Sequence, residues 1–92
     1  MPKVTGNDLV AQTLKNEGVN AVFYLTGGPM SDVARLCIEM QLKSIDVRHE
    51  QAAAMMAHAY SRLTCKPGIC FAASGPGTTN LLTGIGLSLI HI

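Results

Sequence analysis

The stretch Ala21-Val22-Phe23-Tyr24-Leu25-Thr26-Gly27-Gly28-Pro29 decides the fold. Its first five residues form an unbroken apolar run of strand length. A strand apolar on both faces belongs to a parallel sheet with helices on either side. The glycines end that run, and Ser31 or Asp32 can cap a helix. Its apolar positions Val33, Leu36, Cys37 and Met40 recur at i, i+3, i+4 and i+7, the spacing of an amphipathic helix. On the N-terminal side, Thr5-Gly6-Asn7-Asp8 has the form of a capping box. Leu9, Val10, Ala11 and Leu14 supply a helical stripe after it, and Gly18 fits the C′ position. On the C-terminal side, Ile45-Asp46-Val47 reads as a short strand. Residues 51–62, rich in Ala and Met, read as a helix buried on most sides. Lys66-Pro67-Gly68 is a turn, residues 69–73 are a third strand, and Ser74-Gly75-Pro76-Gly77 breaks it. Thr78-Thr79-Asn80 then opens a last helix with Leu81, Leu82, Ile85 and Leu89 on one face. Gly84 and Gly86 each weaken that helix by about 1 kcal/mol relative to alanine. The order α-β-α-β-α-β-α predicts an α/β fold, a three-layer doubly wound parallel sheet with right-handed crossovers.

A chain of 92 residues allows one domain, and 48% hydrophobic with 14% charged residues makes it globular. A net charge of +1 provides no basic face, which argues against nucleic acid as a partner. No apolar run reaches the roughly 18–20 residues of a membrane span, and no h-region of a signal peptide follows Met1-Pro2-Lys3. Three cysteines without a C-x-x-C pair make no disulfide framework, so a reducing, cytoplasmic compartment is expected. Cys37 and Cys70 read as small core residues and Cys65 as an exposed thiol in a turn. No metal site is visible.

In open α/β sheets, ligands bind beyond the carboxyl ends of the strands. Three segments fall there: residues 26–29, His49-Glu50, and residues 74–80. Two are glycine-rich, which permits close backbone approach to a ligand. The middle one carries an acid at a helix start. Each alone has a plain structural explanation. The glycine segments make tight strand-to-helix turns, and Glu50 offsets a helix dipole. The last segment lacks the Gly-Lys-Ser/Thr of a phosphate loop, and Asn80 stands where a dinucleotide fingerprint wants glycine or alanine. His49 reads as a switch or a ligand, without the second histidine of a zincin motif. His58 reads as a hydrogen-bonded partner within its helix.

The run Asp46-Val47-Arg48-His49-Glu50-Gln51-Ala52-Ala53-Ala54-Met55-Met56-Ala57, followed by Ala73-Ser74-Gly75-Pro76-Gly77-Thr78-Thr79-Asn80-Leu81, resembles the pyrimidine-binding (PYR) domain of thiamine diphosphate-dependent enzymes. The resemblance spans residues 5 to 85. It is closest to the group of acetolactate synthase, oxalyl-CoA decarboxylase and 2-hydroxyacyl-CoA lyase. It implies a flavodoxin- or Rossmann-like sheet, incomplete in these 92 residues. It also implies that Glu50 bonds a ring nitrogen of the aminopyrimidine and shuttles the proton that leads to the ylid, a role for which a carboxyl group is suited. Thr26, Gly27, Gly28, Ser74, Pro76 and Asn80 would join Glu50 in binding the cofactor. The substrates implied are small molecules: 2-oxo acids, or 2-hydroxyacyl- or oxalyl-CoA compounds. The Mg2+ and diphosphate would be held by a pyrophosphate-binding domain of a second subunit, in a homodimer or homotetramer. The Gly-Asp-Gly…Asn stretch of that domain does not occur here, so the chain is expected to be the N-terminal part of such a lyase, decarboxylase or synthase, inactive alone. Ala73 stands where some family decarboxylases carry a catalytic histidine, which disfavours a benzoylformate decarboxylase-like site. Residues 86–92 depart from the small-residue continuation usual in the family and read as a non-native tail, a divergent helix end being the other reading. The competing function is a small non-catalytic α/β module that binds a nucleotide or a protein.

Overall fold

The computed structural model describes residues 3–91; Met1 and Pro2 of the N-terminal run and Ile92 of the C-terminal tail lie outside the described residues. Helix α1 (Gly6–Asn16) opens on the capping box read from the sequence. The Thr5 hydroxyl accepts from the Asp8 N–H at 3.2 Å, and the Asp8 carboxylate accepts from the Thr5 N–H at 2.9 Å. Gly18, at φ +80°, follows the Glu17 C-cap, a conformation that favours glycine. Thr5→Ala should destabilise the chain by about 1 kcal/mol in urea unfolding. The backbone N–H and hydroxyl of Thr5 hold the Asp8 carboxyl below its ordinary value. A carboxyl depressed in the folded state stabilises above its unfolded value. This contribution should be complete at neutral pH and fade as pH falls below about 4. Asp8→Asn should remove that acid sensitivity.

Strand β1 (Ala21–Tyr24) is buried at all four positions and lies at the centre of a parallel sheet of order β2-β1-β3. Its neighbours are β2 (Lys43–Asp46) and β3 (Ile69–Phe71). Phe23 stands opposite Ile45 on one side and Cys70 on the other. The period of two divides the core. Val22 and Tyr24 pack with Ala11 of α1 and with Val33, Leu36 and Cys37 of α2 (Ser31–Glu39). Ala21 and Phe23 pack with Ala53 and Ala57 of α3 (Glu50–Thr64). An aromatic pair marks each face. Tyr24 stacks on Phe71 at 4.9 Å, and Phe23 meets Tyr60 edge-on at 5.8 Å. The architecture is an incomplete α/β fold with a parallel sheet and helices on both faces. The chain leaves β1 for β2 on one side and returns to β3 on the other, so the strand order reverses at β1.

Several local expectations change. Neither Ser31 nor Asp32 caps α2: a 3-10 turn (Gly28–Met30) leads directly into it, and the Ser31 hydroxyl donates back to the Gly27 carbonyl at 3.0 Å. In α1, Ala11 and Leu14 face the core, whereas Leu9 and Val10 are exposed. Helix α3 is covered on two sides only, with Met56 exposed. The larger correction concerns α4 (Pro76–Ile90). Of the face read from the sequence, Leu81 is half-buried, whereas Leu82, Ile85 and Leu89 are 57%, 50% and 67% exposed. The residues α4 buries are Gly77 and Gly84. It lies against α3 through its small side, because a Cβ on Gly84 would collide with the Cβ of Ala54.

Candidate functional site

The carboxyl ends of all three strands lie on one edge of the sheet, and the three candidate segments meet there. Glu50 is the first residue of α3 and is half-buried. Asn80, one turn into α4, donates its side-chain amide to Glu50 Oε1 at 3.1 Å. Gly77, on the same side of that turn, lies beneath the other oxygen: a Cβ there would sit 3.4 Å from Glu50 Oε2 and 3.3 Å from the Cβ of Ala72. The segment after β1 joins from the far side. A Cβ on Gly27 would fall 2.7 Å from that of Ala73, so only glycine allows the two glycine segments to touch. Thr26 Oγ1 lies 3.5 Å from Asp46 Oδ1, and Arg48 Nη1 donates to Asp46 Oδ2 at 3.2 Å. Asp46 thus links the segment after β1 to the one that leads into Glu50.

Other sequence-derived candidates take simpler places. Gly28 starts the 3-10 turn beside open space, where a Cβ would meet nothing within 4 Å. Ser74 and Pro76 are exposed on the segment after β3, and Gly75 turns it at φ +78°. His49 caps α3, its Nδ1 accepting from the Gln51 N–H at 3.0 Å. His58 Nδ1 pairs with Ser88 Oγ at 2.8 Å across the α3–α4 interface. Cys37 is fully buried, and burial pushes its thiol and that of Cys70 up from their ordinary values, as inert core thiols require. Cys65 is exposed, and all three cysteines are free. Among the described residues no three histidine, cysteine, aspartate or glutamate side chains group to hold a metal ion, and no helix is long and apolar enough to cross a membrane. Sequence reading did not single out Gly77 or Asp46, whose roles depend on neighbours far along the chain.

The edge therefore presents one carboxyl group with an amide on one oxygen and the buried Gly77 packed beside the other. Two helix N-termini flank it and favour negative charge there. Residues 4–88 match the family model described as "Thiamine pyrophosphate enzyme, N-terminal TPP binding domain". The chain belongs to this family. The thiamine pyrophosphate enzyme domain is 41% identical over 87 residues to the acetolactate synthase isozyme 2 large subunit of Escherichia coli (strain K12), covering 95% of this chain and 16% of that protein. It is 37% identical over 86 residues to a chloroplastic acetolactate synthase of Arabidopsis thaliana, covering 92% and 13%. Against 2-hydroxyacyl-CoA lyase 1 of Homo sapiens it is 37% identical over 83 residues, covering 90% and 14%. The chain thus spans between an eighth and a sixth of the length of these curated relatives. The fold and family expected from the resemblance hold.

Proposed function

We propose that this chain forms the aminopyrimidine side of a thiamine diphosphate site and that Glu50 is its proton relay. The observation that carries the reading is the Glu50 carboxyl at the strand-end edge, with Oε1 engaged by Asn80 and Oε2 over the bare Cα of Gly77. The residues fit the cofactor. Gly28 borders open space, which leaves room there for a planar ring, and Gly77 lets α4 lie close against Glu50 and Ala72. Thiamine diphosphate, when bound, supplies an ionisable carbon at C2 and an electron sink for carbon–carbon bond chemistry. Within this chain, Glu50 would hold a ring nitrogen and exchange a proton with it through one carboxyl oxygen. Thr26, Gly27, Gly28, Ser74 and Pro76 form the surrounding wall, and Asn80 holds the Glu50 carboxyl against it.

The diphosphate and its Mg2+ are assigned to a pyrophosphate-binding domain of a second subunit, in a homodimer or homotetramer. The reaction class is that of a lyase, decarboxylase or synthase acting on 2-oxo acids or on 2-hydroxyacyl- or oxalyl-CoA compounds, in the cytoplasm. The relatives' names support this range: two are acetolactate synthases and one is a 2-hydroxyacyl-CoA lyase. A nucleotide- or protein-binding module needs no acid at the start of α3 with an amide donor fixed on it.

Two measurements on the 92-residue chain test the reading. Calorimetry with micromolar thiamine diphosphate should show no magnesium-dependent binding. Titration of the ¹⁵N-labelled chain with millimolar thiamine should shift the amides of residues 26–28, 50, 74–75 and 77–80. Shifts confined to other surfaces, such as the residues around the His58–Ser88 pair, would contradict it. Tight magnesium-dependent binding would contradict the assignment of the diphosphate ligands to another domain.

A further inference from the structure

We infer that Asn80 is a positioning residue that decides which oxygen of Glu50 carries the exchangeable proton. The inference rests on the reading of Glu50 as a relay. Asn80 Nδ2 donates to Oε1 at 3.1 Å, and an N–H donor needs a free lone pair on its acceptor. The hydroxyl oxygen of a carboxylic acid is the weaker acceptor of the two, so protonated Glu50 keeps Oε1 as the carbonyl oxygen and holds the proton on Oε2. The reverse orientation of the amide would set its oxygen against the carboxylate, two acceptors facing each other.

Oε2 receives no hydrogen bond from the described residues, and its neighbour is Gly77, where a Cβ would stand 3.4 Å away. Gly77 and Asn80 are three residues apart and share one side of the first turn of α4. One residue therefore donates to Oε1, and the other, with no side chain, offers Oε2 no donor. This makes Asn80 act through Glu50, where the family resemblance implies a direct cofactor contact.

The test combines a hydrogen-bond readout with a double-mutant cycle. In the ¹⁵N-labelled chain, one Nδ2 proton of Asn80 should lie downfield and exchange slowly with water, and Glu50→Ala should abolish both features. In the assembled holoenzyme, Asn80→Ala should slow deuterium exchange at cofactor C2 by about tenfold while cofactor affinity changes by less than about threefold. The double variant Glu50→Gln with Asn80→Ala should exchange no more slowly than Glu50→Gln alone, because a residue acting only through Glu50 has nothing left to position. Multiplied losses in the double variant, or a large fall in affinity with unchanged exchange, would overturn the inference and leave Asn80 as an independent cofactor contact. Unchanged exchange in Glu50→Gln alone would instead remove the relay reading on which it rests, and the amide signal would still report whether the bond exists.

Discussion

Gly84→Val is expected to destabilise the chain by about 3 kcal/mol, near the upper end of the usual cost of overpacking. A Cβ at this position collides with the Cβ of Ala54 and stands 3.2 Å from the Gln51 carbonyl oxygen and 3.3 Å from the Met55 nitrogen. These atoms belong to the α3 backbone or are fixed directly to it, so no rotamer change relieves the contact. Helix α4 must move away from α3. That movement also draws Asn80, one turn earlier on the same helix, away from Glu50. Gly86 is the internal control. A Cβ there meets nothing within 4 Å, so Gly86→Ala should stabilise α4 by about 1 kcal/mol through helix propensity alone. Urea unfolding followed by circular dichroism measures both. Equal, small effects from the two substitutions would show that α4 does not lie against α3 as described.

The same pair of glycines shows what could and could not be read from sequence. Apolar periodicity located β1, because all four of its residues are buried, and it located the core stripe of α2 through Val33, Leu36 and Cys37. The capping box at Thr5 and Asp8 was legible because its partners are three residues apart. Periodicity located α4 but not the side it packs through, since the residues it buries are Gly77 and Gly84 and hydropathy weighs glycine as almost nothing. The cap of α2 was missed because a 3-10 turn continued smoothly into the helix, leaving no separate capping residue. For the site, the convergence of three segments followed from each ending a parallel strand. The bond from Asn80 to Glu50 spans 30 residues, and no local pattern announces it. His49 showed the opposite error: an apparent functional histidine whose Nδ1 serves the helix end beside it.

The central claim is that Glu50 moves a proton, and the most direct measurement is the rate of deuterium exchange at cofactor C2 in the assembled holoenzyme carrying Glu50→Gln. The substitution keeps the length of the side chain and an oxygen for the Asn80 amide, but it cannot take up and release a proton. Positioned acid–base groups contribute about 10²–10⁴ in rate. Exchange should therefore slow by that factor while the cofactor still binds and thermal stability scarcely changes. This readout needs no knowledge of the substrate. If Glu50 were only an acid offsetting the dipole of α3, the variant would lose roughly 0.3–1 kcal/mol of stability and exchange C2 at a near-normal rate. Exchange slowed at least a hundredfold with cofactor bound is the result the account predicts; exchange within a few-fold of the parent protein would contradict it.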